Sequence, residues 1–137
     1  MPIITAAALY AGFAFALGFL LGVCRVLLLE PALGPLAATI LELPVILALT
    51  WLAARRLVLS RGQTWTLPHA ALVGLLAFVL LQAAELALTP WTFPADRPWA
   101  QSLRERTLAP AGQLGLAAQL LFAAFPALAR RLRHNQA

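Results

Sequence analysis

A chain of 137 residues that is 62% hydrophobic and only 11% charged has too little polar surface for a soluble domain of its size, so its exterior is read as lipid-facing. Its net charge of +5 does not point to nucleic acid, because the arginines sit at the ends of apolar runs rather than along one face. The single cysteine, Cys24, excludes an internal disulfide and a cysteine-based metal site.

A helix needs ~20 mostly apolar residues to cross the hydrocarbon, and four segments reach that length: 3 to about 29, 36–54, 67–88 and 108–129. Little chain remains, so one transmembrane domain covering 1–137 is expected. The first segment has no basic residue before Arg25 and is longer than the apolar core of a signal peptide, so it is read as a retained span. Ala7, Ala11, Ala14, Gly18 and Gly22 recur along it at three- and four-residue steps, and Arg25 continues the same face. Such a seam lets a neighbouring backbone approach closely.

Glu30-Pro31-Ala32-Leu33-Gly34-Pro35 predicts a tight turn, which makes segments one and two antiparallel neighbours. Segment two carries Glu42-Leu43-Pro44, where Pro44 removes a backbone hydrogen bond and is expected to bend the helix near Ile40. It then runs past Trp51 into Arg55-Arg56, with an amphipathic extension to Ser60. Segment three follows Trp65 and ends at Thr89-Pro90, with Gln82 and Glu85 in its last turns. The loop from Trp91 through Asp96 and Trp99 to Arg106 contains Ser102-Leu103-Arg104-Glu105, which fits a capping box opening a short interfacial helix. Segment four carries Gln113 and Gln119 and runs into Arg130-Arg131-Leu132-Arg133-His134.

The four tryptophans fall at the predicted boundaries, Trp51 and Trp65 at one and Trp91 and Trp99 at the other, as expected of residues that anchor at the membrane interface. An even number of spans puts both termini on one side, together with Arg55, Arg56, Arg61, Arg130, Arg131 and Arg133. All five acids and the other four arginines fall on the opposite side. Counting arginines near span ends therefore predicts cytoplasmic termini. A lysine-free chain rich in Ala, Leu, Arg and Pro matches coding in a GC-rich bacterial genome, hence a bacterial inner membrane.

Arg25, Glu42, Glu85 and Gln113 enter the four segments at similar depth, with Gln82 beside Glu85. Ionised groups within spans are expensive and turn inward to pair, so Arg25 is expected to pair with Glu42, Glu85 or both. Such a layer either locks helix order or holds a site for reversible protonation. No catalytic constellation, metal or cofactor is expected: no His lies mid-span, no nucleophile has a base at a recognisable spacing, and no phosphate loop appears.

The membrane glutathione-transferase family (MAPEG) is similar in length, span count and a glutamate near a proline in the second span, as in Glu42-Leu43-Pro44. That resemblance implies a membrane enzyme, although the family's polar and basic glutathione-binding residues have no counterpart here. The combination of Gly18-x-x-x-Gly22-x-x-Arg25, Pro31-x-x-Gly34, Glu42-x-Pro44 and Glu85 resembles small four-span bacterial membrane proteins called hypothetical. This second likeness covers most of the chain and implies a fold without an activity.

The expected architecture is therefore an all-α integral membrane antiparallel four-helix bundle. Its expected role is a non-enzymatic accessory or assembly subunit that contacts lipid and a membrane partner or a second copy. The alternative is a small oligomeric proton-coupled transporter or channel, and a MAPEG-like enzyme is third.

Overall fold

A computed structural model describes residues 1–60, 64–92 and 98–135. Among these residues the chain is all-helical. Helix α1 (Ile3–Cys24) passes through a π-helical turn (Arg25–Leu29) into α2 (Glu30–Ser60), followed by α3 (Leu67–Thr92), α4 (Trp99–Leu108) and α5 (Pro110–His134). Three stretches are long and apolar enough to cross a membrane: Ile3–Val58, Leu67–Leu88 and Pro110–His134.

The first of these folds back on itself, though not where the sequence predicts. Helix was expected to stop at about Leu29, with the turn spread over Glu30 to Pro35. Instead, the helix widens into the π turn and continues beyond Pro31. Pro31 explains the widening: its ring crowds the carbonyl four residues back and it has no N–H to donate. Just before it, the Glu30 N–H reaches the Arg25 carbonyl, five residues back, as in a π-bulge. The chain reverses only at Gly34, whose φ of 78° and ψ of 165° suit glycine and almost no other residue. Pro35 then starts the return arm, which keeps helical dihedrals through Pro44.

Contacts along the hairpin are antiparallel. Tyr10 meets Thr50, Gly18 faces Ile46, and Arg25 meets Thr39. Helix α5 packs on α2 and α3, and α1 packs on α2 and α3, whereas consecutive α2 and α3 barely touch. Trp51 packs edge-on against Phe125 at 5.3 Å and Arg133 bonds to the Val58 carbonyl, so α2 and α5 run parallel. Consecutive spans therefore alternate in direction, as two antiparallel hairpins, α1–α2 and α3–α5, in which the parallel pairs α1 and α3, and α2 and α5, are also neighbours.

The core is made of small residues: Ala6, Ala7, Ala11 and Ala14 of α1 meet Ala54 and Val58, Val73 and Ala77, and Phe122 and Ala129. Small side chains bring helix axes together, which suits packing in lipid, where apolar burial gives little drive. The closest backbone approach, however, is not along the α1 seam. A Cβ on Gly22 meets nothing, and one on Gly18 meets only the tip of Ile46 at 3.6 Å. By contrast, a Cβ on Gly74 of α3 runs into the backbone carbonyl of Ala123 on α5.

Proline and tyrosine meet at the centre. Buried Pro126 has no N–H, so the carbonyl of Phe122 loses its helical donor. The Tyr10 hydroxyl donates to that carbonyl at 3.0 Å, and the Tyr10 ring stacks on Phe122 at 4.3 Å. The Thr50 carbonyl lies 3.4 Å from the same hydroxyl. Tyr10→Phe is expected to lower stability by ~1–2 kcal/mol, since it strands a buried acceptor. In a Pro126→Ala background, which restores the helical N–H, at least half of that loss should disappear. Equal losses in both backgrounds, measured by reversible unfolding in mixed micelles, would exclude this account.

At the arginine-rich end, the Arg130 guanidinium donates to the Trp65 carbonyl. Just before α3, the Thr66 hydroxyl lies 2.7 Å from Nδ1 of His69. Trp65 is 5% exposed and packs in the core. Trp51 is half-buried against Phe125, and the side chains of Trp91 and Trp99 lie outside the described residues. Helix α4 begins at Trp99, after Pro98, not at the Ser102 capping box. Asp96 and Arg61 also lie outside the described residues.

Candidate functional site

The predicted polar layer is divided between the two hairpins. In the first, the Arg25 side chain turns toward α2 because it stands at the start of the π turn. Its Nε lies 3.1 Å from Oε2 of Glu42 and 3.6 Å from Oε1 of Glu30. The Nε–Glu42 approach is an ion pair without hydrogen-bond alignment. Direction comes instead from Nη1, which donates to the Thr39 hydroxyl at 2.8 Å. That hydroxyl donates onward to the Pro35 carbonyl at 2.8 Å, the back-bond of a helical threonine to the carbonyl one turn earlier. Thr39 is 4% exposed and fully used. A guanidinium thus joins two carboxylates and a hydroxyl, closing the hairpin below its turn.

The second cluster joins α3 and α5. Gln119 donates from Nε2 to Oε1 of Glu85 at 2.6 Å. Gln82, one turn earlier on α3, has a buried Oε1 with no hydrogen-bond partner among the described residues. The pairing of Arg25 with Glu85, one of the two partners expected from sequence, does not occur: Arg25 is held within its own hairpin. Gln113 also departs from expectation. It is exposed, and its Nε2 bonds back to the Leu108 carbonyl at 3.2 Å. Sequence reasoning missed Thr39 and overlooked Gln119 as a ligand of Glu85. A signal existed for Thr39, since it lies one turn before Glu42 on the same face.

The two clusters stand near the Gly34 end. Between them and the arginine-rich end the core is mostly Ala, Val, Leu and Phe, with the buried hydroxyls of Tyr10 and Thr50 committed to backbone carbonyls. Chemically, the first cluster sets one cation between two carboxylates and the second holds a carboxylate by an amide. Among the described residues no group of His, Cys, Asp or Glu has the arrangement of a metal site. Seam residues Ala7, Ala11 and Ala14 are buried, whereas Gly18 and Gly22 are only half-covered by the chain itself. Next to Gly22, Phe19, Leu20 and Val23 are exposed at 58%, 64% and 41%.

A shallow cleft of about 270 Å³ opens between the first half of α1 and the last half of α2. Tyr10 forms its floor, Leu9, Phe13 and Leu57 its walls, and Arg56 stands at its polar end. No family model matches the chain, and no curated protein or solved structure is significantly similar to it.

Proposed function

We propose that this protein is an integral four-helix protein of a bacterial inner membrane, with both termini cytoplasmic, acting as a non-enzymatic accessory or assembly subunit. The observation that carries the reading is the uncovered outer half of α1. There a Cβ on Gly22 would meet nothing from its own chain, while Phe19, Leu20 and Val23 stand out around it. A glycine in that setting admits a partner helix at close range. Below the two polar clusters the buried packing is mostly apolar and the buried hydroxyls of Tyr10 and Thr50 are committed to backbone carbonyls. This argues against a conducting file within one chain, because ions and protons crossing a bilayer need polar relays. Segregation of the acids to the Gly34 end supports the orientation only through its complement, the arginines at the other.

Purification in mild detergent, with identification of what co-elutes, tests this role. A stoichiometric membrane partner or second copy is expected, and Gly22→Leu should release it while leaving the helical content unchanged. A lone homogeneous species that carries pH-dependent ion flux in liposomes would overturn the accessory role in favour of a transporter. For orientation, a fluorescent reporter after Ala137 should be bright and one after Asp96 dark. The reverse pattern would invert the topology.

A further inference from the structure

We propose that the α1–α2 cleft is a binding site for one anionic phospholipid of the leaflet on the arginine side. The proposal rests on the membrane reading above and adds a ligand to it. The cleft has the two ends such a lipid needs. Leu57 of α2 and the exposed Leu9 and Phe13 of α1, at 59% and 45%, line it with apolar surface above the buried Tyr10 ring. From Ile3, two residues after the Met1 that borders the cleft, to Phe13 the helix rises ~15 Å. That is close to half of the ~30 Å hydrocarbon core, the reach of one leaflet.

Charge selects the headgroup. Arg56 is exposed at the end of the cleft nearest the end of α2 and has no carboxylate partner among the described residues. Its neighbour Arg55 is exposed too, so local positive charge is uncompensated. The Ser60 hydroxyl beside it donates to the Arg56 carbonyl at 2.6 Å, leaving oxygen lone pairs but no second proton. Arg130 and Arg133, in contrast, are each anchored by one guanidinium N–H, to the Trp65 and Val58 carbonyls. Arg56 is therefore the cation of this end that lines the cleft, with apolar surface beside it. A phosphate diester takes a bidentate guanidinium well, and its acyl chain fills the trough. A zwitterionic headgroup sets its own ammonium against the same cation and gains less.

Native mass spectrometry of the full chain, released from detergent with phosphatidylglycerol or phosphatidylcholine added, reads the site directly. One phosphatidylglycerol per chain is expected, at least fivefold favoured over phosphatidylcholine. Arg56→Gln should remove about a fivefold preference, the ~1 kcal/mol of one arginine near an anionic surface. Ala53→Phe, which fills the wall of the cleft, should lower binding of both lipids, and Arg131→Gln on α5 should change nothing. Equal binding of the two lipids, or equal effects of Arg56→Gln and Arg131→Gln, would overturn the proposal. So would a lipid-free dimer that Ala53→Phe disperses, which would make the occupant a second copy. Alkaline carbonate extraction separates the two failures: protein released from membranes refutes the membrane reading itself, whereas protein that stays in membranes without lipid preference refutes only the cleft.

Discussion

Gly74→Ala should lower stability by ~3 kcal/mol or more, the largest effect expected of any single methyl group in this chain. The added Cβ would overlap the Ala123 carbonyl oxygen and come within 3.0 Å of its carbon and 3.4 Å of Pro126 Cδ. None of these atoms is the free end of a side chain, so α3 and α5 must separate along their length. Separation also loosens the adjoining turn of α5, where the Phe122 carbonyl takes the Tyr10 hydroxyl. The damage should therefore reach the α1–α2 hairpin. Gly115→Ala supplies the control, because a Cβ there meets nothing and alanine favours helix by ~1 kcal/mol. Unfolding in mixed micelles should place the two variants on opposite sides of the parent. If Gly74→Ala unfolds with the parent, the close α3–α5 approach is wrong.

Arg25→Leu is expected to cost ~3 kcal/mol, in the range for stripping one partner from a largely buried pair. It leaves the Glu42 side chain, 13% exposed, facing Glu30 without a cation, and it frees the Thr39 hydroxyl from its donor. Removing the acid as well should return most of that loss: Arg25→Leu with Glu42→Leu is expected near the parent, because an apolar pair replaces an ion pair with little net penalty. A charge exchange separates the candidate acids. Arg25→Glu with Glu42→Arg should recover stability lost in either single variant, whereas Arg25→Glu with Glu85→Arg should not, since Glu85 is engaged by Gln119 on the other hairpin. Recovery with Glu85 instead would mean that the two hairpins are joined through their charges.

How much could be read beforehand differs residue by residue. The apolar stretches and their polar ends were legible because hydropathy is a property of consecutive residues and needs no partner. Contact between Arg25 and Glu42 was legible as one of two options, since a short turn brings those positions together. The choice against Glu85 was not legible, because it depends on which hairpin stands beside which. Tyr10 and Pro126 carried a signal that went unused: a proline inside a span frees the carbonyl four residues earlier, and one tyrosine hydroxyl was available to take it. Gly74 carried no such signal. Nothing local separates it from Gly22, yet one is filled by a neighbouring backbone and the other stands open.

Sequence alone determined that this chain is helical, apolar enough to face lipid, and charged asymmetrically, because composition and period are summed along the chain. Tertiary structure decided where the first hairpin turns, which carboxylate Arg25 meets, and which glycine must remain a glycine. Those outcomes depend on the rotation and neighbour of each helix. Rotation and neighbour are set by close packing between segments far apart in sequence, to which no single segment holds the key.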